Sequence, residues 1–176
     1  MTLVYLAFDA DRVTTFDAHY FPEEDTPVTR ISEPKNYRRT REPGGRTVLC
    51  AEIPCEVSDG TWEASETTLA ATVVATLRDR GIAIPEPVAV TVRRLRRAYP
   101  VAYRGTPERL MQVADWAGSQ PSLVTFGRQG AFAHNNTHHS MAMARDAVSA
   151  LRPDGSIDSA AWLDAQRHHA AFVVED

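Results

Sequence analysis

Apolar positions along this chain fall into short runs before residue 60 and into helical repeats after it. The first run, TLVYLAF (residues 2–8), predicts a strand, and DADR after it predicts a turn. FDAHYFPEEDTPVTRISEP holds two short strands around an acidic turn, and Pro22, Pro27 and Pro34 restrict them to sheet edges or strand ends. NYRRTREPGGR (36–46) is polar and marked by Gly and Pro, so it reads as a loop. TVLCAEIPCEV (47–57) is rich in β-formers and predicts a buried strand. The spacing then changes. Leu69, Val73, Val74 and Leu77 repeat at helical intervals, Ser65 stands as a candidate N-cap and Gly81 closes the segment. VAVTVRRLRRAYPVAY (88–103) begins as an alternating strand.

GTPERLMQVADWAG predicts a second helix, with Thr106 as its cap, Pro107 in its first turn and Gly118 at its end. Leu123–Phe126 then predicts a strand ending at Gly127, followed by a Gly- and Asn-rich loop and a helix over about 137–151, stopped by Pro153. The tail predicts one more helix with Ser159 as its cap. This order, strands first and then alternating helices and strands, predicts an α+β fold with a mainly antiparallel sheet and packed helices. No internal repeat or low-complexity segment interrupts it.

The 176 residues suffice for one domain with an appendage and can bury a core. A net charge of −4 gives no reason to expect nucleic acid or an anionic membrane as a partner. No apolar run reaches 18 residues, and the N-terminus lacks a basic region before its apolar stretch, so it reads as a strand and not as a signal peptide. Two cysteines, Cys50 and Cys55, read as reduced thiols, which places the chain in the cytoplasm.

The candidate chemistry centres on GRQGAFAHNNTHHSMAMARDAV. Gly127 and Gly130 let backbone approach a ligand, because no Cβ intervenes. Asn136 and Thr137 can cap the following helix and leave N–H groups at the positive end of its dipole, where a phosphate or a flavin carbonyl fits. Arg128 adds a charge. An ordinary well-capped loop has the same local features. No G-x-G-x-x-G or P-loop occurs anywhere in the chain.

His134, His138 and His139 lack an acidic residue at third-ligand spacing, so no metal is expected. His168 and His169 read as solvated tail residues. RRLRR (93–97), without interleaved aromatics, reads as a solvated or ion-paired strand, with Arg94 and Arg96 on one face. Arg30, Lys35, Asn36, Tyr99 and Tyr103 could line a pocket, and each could equally fill surface or core. No Ser/His/Asp order or Cys/His pair stands out. His134, His138 and Tyr99 are the candidates for acid–base work.

AHYFPEEDTPVTRISEPKNY, TVLCAEIPCEVSDGTWEAS, RRAYPVAYRG and GRQGAFAHNNTHHSMAMARDAV, in this order and spacing, make residues 1–151 resemble the C-terminal portion of the FAD-dependent amine-oxidoreductase superfamily. The resemblance lies with its protoporphyrinogen-oxidase-like and UDP-galactopyranose-mutase-like branches. It implies a substrate domain with an antiparallel sheet and a final strand-loop-helix that returns to the flavin. Residues 152–176 would be a helical tail.

By position, the resemblance implicates Gly127, Arg128, Gly130, Asn136 and Thr137 in holding FAD. It puts the Arg30–Asn36 region and Tyr99 near a small-molecule substrate, with Tyr103 beside them. His138 stands where relatives often carry an acidic residue. The Rossmann segment that holds the other half of FAD is not in this sequence. That implies a partner chain bearing it, a homo-oligomer, or recruitment as a flavin-free isomerase, cyclase or binding protein. Met1 and the polar tail suggest a self-standing reading frame. One helix N-terminus contributes about 0.3–2 kcal/mol to holding a pyrophosphate, and ordering a large cofactor costs more, so half a site would hold FAD poorly.

Overall fold

The computed structural model describes residues 1–38 and 43–174. They fall into two bodies, Met1–Ala98 and Tyr99 onward.

The first body is a five-stranded antiparallel sheet. Its strands are β1 (Thr2–Phe8), β2 (Ala18–Tyr20), β3 (Arg30–Ser32), β4 (Thr47–Ile53) and β5 (Ala89–Arg94), in the order β2-β3-β4-β1-β5. The expected strands are all present, and β4 is shorter than its apolar run because Pro54 cannot donate to the ladder. The sheet register sorts the side chains into two faces. Val4 lies opposite Ala51 and Val92, and Leu6 opposite Leu49 and Val90, so these residues share one face. That face is covered by α2 (Glu66–Asp79), which contributes Leu69, Val73 and Leu77 at four-residue steps to the same core. Each such fully buried aliphatic side chain stabilises the fold by roughly 1.5–3 kcal/mol.

Ser65 caps α2 as expected, its hydroxyl accepting from the Thr68 N–H at 3.1 Å. Gly81 ends the segment with φ of 72°, which a side chain would strain. The sequence gives no sign of the turn α1 (Gly60–Glu63) before it. Arg94 holds that turn, donating to the carbonyls of Trp62 and Ala64. The alternation expected through Arg97 ends at Arg94, where β5 stops and a turn begins.

The second body is helical: α3 (Thr106–Gly118), the single turn α4 (Gly127–Gly130), α5 (Thr137–Ser149) and α6 (Ser159–His169). Two expected caps move by one residue. Thr106 does not cap α3; its hydroxyl accepts instead from the Tyr103 N–H, and Gly105 occupies the cap position with φ of 81°. Asp158, not Ser159, caps α6, accepting from the Ala160 and Ala161 N–H groups. The expected strand at Leu123–Phe126 is absent. Phe126 is extended, with φ −152° and ψ 175°, yet no described backbone group pairs with residues 123–126, and a strand exists only with a partner. GRQG, expected as loop, closes into α4.

Candidate functional site

The loop between α4 and α5 is fixed by its two glycines for different reasons. Gly127 has φ of 73°, where a Cβ would be strained although space is available. Gly130 has ordinary φ, but a Cβ there would stand 3.3 Å from the carbonyl carbon of Thr125. A side chain there would require the Thr125 backbone to give by a few tenths of an ångström. Phe132 takes φ of 49°, uncommon for an aromatic residue. Arg128 ties the loop together, donating through Nη2 to the Asn135 carbonyl at 2.8 Å.

Asn136 is the N-cap residue of α5, as expected, and Thr137 is the first helical residue. The backbone N–H of Asn136 donates to His139 Nδ1 at 3.3 Å. His139 is buried and stacks on Phe172, with centroids 4.7 Å apart. It therefore serves the helix start, in the place where a capping box usually has Glu or Gln. His138 is exposed on the first turn, its ring edge-on to His139.

Three of the residues singled out from sequence come together. The Arg128 guanidinium lies 4.9 Å from the centroid of the Tyr99 ring, within cation–π range. His134 stacks on the same ring at 5.8 Å with an interplanar angle of 20°. Tyr103 is exposed. His134 precedes α5, so it does not share a helix face with His138. Among the described residues no group of three or more His, Cys, Asp or Glu could hold a metal ion.

The two substrate-side candidates, Arg30 and Asn36, belong to the sheet body. Arg30 lies on the sheet face away from α2, paired across the strands with Tyr20 and Glu52. It forms an ion pair with Glu52 and lies over the Tyr20 ring. Burial works against the charged guanidinium, but bonding to Tyr20 and Glu52 outweighs it and raises its pKa. Cys50 and Tyr5 share that face as cross-strand partners, and burial pushes the Cys50 thiol up. Both cysteines are free thiols.

Asn36 sits in a single 3₁₀ turn, Pro34–Tyr37, and donates through Nδ2 to the carbonyls of Thr14 and Phe16 and to Glu33 Oε2. Its amide is thus engaged in holding the loop before β2. Lys35, beside it, is buried and donates to the carbonyls of Pro43 and Arg46. It lines a cavity of about 550 Å³ with Phe8, Arg38, Arg46 and Val88.

In the helical body a second cavity, of about 370 Å³, opens between α3, residues 125–135, α5 and the end of α6. Gly130 and Asn135 line it together with His169. His169 corrects an expectation: its side chain is 7% exposed, not solvated, and its Nε2 lies 3.0 Å from Asp146 Oδ2. That bond, helped by Arg145, holds the Asp146 carboxyl below the usual range. No spacing in the sequence signals this pair, because it forms between two helices 23 residues apart.

No family model and no curated protein matches the chain. Solved structures do. A reduced UDP-galactopyranose mutase matches with a TM-score of 0.68 at 20% identity, covering 98% of this chain and 38% of that one. A protein described as a putative protoporphyrinogen oxidase from Exiguobacterium sp. 255-15 matches with a TM-score of 0.51 at 19% identity, covering 65% of this chain and 26% of that one. The fold is therefore the α+β arrangement found within these two larger proteins, and the chain spans 38% of the length of the mutase. At this identity the likeness is one of fold.

Proposed function

We propose that this chain supplies the substrate contacts and the C-terminal half of the flavin cradle of an FAD-dependent amine-oxidoreductase-like protein. A Rossmann-bearing partner chain, or assembly with further copies, completes the site. The observation that carries this reading is the match of nearly the whole chain to little more than a third of a mutase chain. Three features of the helical body support it. Phe126 is extended, and no described backbone group pairs with residues 123–126, as for a strand whose neighbour comes from another segment. Gly127, at φ of 73°, turns the chain between residue 126 and the loop where a cofactor would approach. The 13-residue helix α5 begins after this loop, and its dipole favours a pyrophosphate or flavin carbonyl at its N-terminus, where the Asn136–His139 capping box uses the cap and N3 N–H groups.

In this reading a bound flavin would accept a hydride from a substrate C–H bond as the adjacent C–N or C–C single bond is oxidised to a double bond. Gly127, Gly130, Asn136 and Thr137 would form the cradle, and Arg128 would place positive charge beside it. His134, His138 and Tyr99 are the groups available to move a proton, with Arg30, Asn36 and Tyr103 toward the substrate.

A second reading has one observation in its favour. The 370 Å³ cavity is walled by residues 110–170 alone, so a flavin-free isomerase, cyclase or binding protein needs no second segment. An absorption spectrum of the purified chain before and after excess FAD, taken with its mass in solution and an amide NMR titration, separates the two. Flavin retained after desalting, or amide shifts confined to residues 127–139, supports the flavin reading. A colourless protein whose 127–139 amides ignore millimolar FAD sinks assembly from copies of this chain alone; failure to retain FAD also when co-purified with a Rossmann-bearing partner sinks the flavin reading and leaves the second.

A further inference from the structure

The cavity of the helical body has a mostly apolar wall, formed by Leu110, Met111, Phe126, Ala131 and Met143. At about 370 Å³ it falls at the small end of the range for small-molecule sites. His169 forms part of the wall. Its Nε2 faces Asp146 Oδ2 at 3.0 Å. An ionised carboxylate only accepts hydrogen bonds, so the neutral form of the ring, the form able to accept from a ligand, carries its hydrogen on Nε2 and keeps the lone pair on Nδ1. No described protein group meets Nδ1, and it is not among the buried atoms closed off without a partner. Trp162, His168 and Phe172 surround the ring. The imidazole is thus fixed in tautomer by one helix and held in an apolar wall, with one acceptor atom left over. Asn135, buried beside it, spends its amide on a long 3.7 Å contact to Met143 Sδ, which a better acceptor could replace.

We propose that this cavity binds a compact, neutral, largely apolar molecule that donates one hydrogen bond to His169 Nδ1. Asp146 is the positioning residue for that acceptor. The site lies within one body and does not rest on the flavin reading.

Indole and 1-methylindole test it, since they share shape and apolar surface and only indole has a donor N–H. Titrated into the full chain and followed by amide NMR, indole shifts signals of α3, residues 125–135 and the end of α6. It binds about tenfold or more tightly than 1-methylindole, because the methylated ring leaves a buried acceptor unpaired. His169→Phe abolishes that preference. Ala114→Trp, which fills the cavity from exposed helix α3 and leaves Asp146 and His169 themselves unsubstituted, abolishes binding of both and serves should His169→Phe fail to fold. Absence of indole binding, equal binding of the two probes by the unaltered chain, or indole binding that persists in Ala114→Trp overturns the proposal.

Discussion

Glu33 carries more of the fold than any residue the sequence draws attention to. It is 1% exposed and charged, which is costly unless every lone pair is used. Here they are used. Oε1 accepts from the Val13 N–H at 3.0 Å and from the Thr47 hydroxyl at 2.6 Å. Oε2 accepts from the Thr14 N–H at 2.8 Å and from Asn36 Nδ2 at 3.1 Å. One carboxylate thus pins the loop after β1, the start of β4 and the 3₁₀ turn. Glu33→Gln sets an NH₂ against two of these donors whichever way the amide turns. It should lower stability by about 2–4 kcal/mol, read as a fall in the urea midpoint at unchanged slope; a loss below about 0.5 kcal/mol would refute the account. The motif ISEP announces none of this, because the four donors come from segments up to 20 residues away. Asn36 was readable as a loop residue of interest. Its engagement with Glu33 and the Thr14–Phe16 carbonyls is a tertiary fact that local pattern does not encode.

Elements were legible where a local rule settles them alone. The strand Thr2–Phe8, the Ser65 cap and the helix starting at Thr137 follow from period and capping chemistry, and the helix Thr106–Gly118 from its period and its early proline, though not from the cap expected at Thr106. The expected strand at 123–126 failed because its apolar run lacks a neighbour, and pairing is not a property of the run itself. The glycines of the candidate loop were legible as glycines but not in their separate reasons. Those reasons can be told apart. Gly127→Ala and Gly130→Ala should each destabilise the helical body by about 1–2 kcal/mol, the first through left-handed φ and the second through the clash with Thr125. Asn tolerates the left-handed region, so Gly127→Asn should recover much of that loss and Gly130→Asn none. Hydrogen exchange of α5 amides reads both. Equal behaviour of the two Asn variants would mean that one cause, not two, holds the loop.

Across the whole molecule, the two bodies differ in how well each satisfies itself. Residues 1–98 contain one continuous core, from Val4, Leu6 and Phe8 through Ile53 to Val73 and Leu77. Among the described residues from 99 onward, Ala117, Met143, Ala147, Ala150 and Trp162 are the buried apolar side chains, and the last three form the cluster, while Met111, Val113, Trp116 and Met141 are exposed. Burial of apolar area is the main favourable term in folding, and the helical body has less of it. The sheet body should therefore fold alone. Expressed as residues 1–98, it should unfold in one sharp transition, while residues 99–176 should melt broadly and bind a hydrophobic dye. In the full chain, calorimetry should resolve two transitions, and any ligand or partner of the helical body should raise only its own by mass action. A single sharp transition in the full chain, lost from both fragments, would show instead that the bodies fold as one cooperative unit.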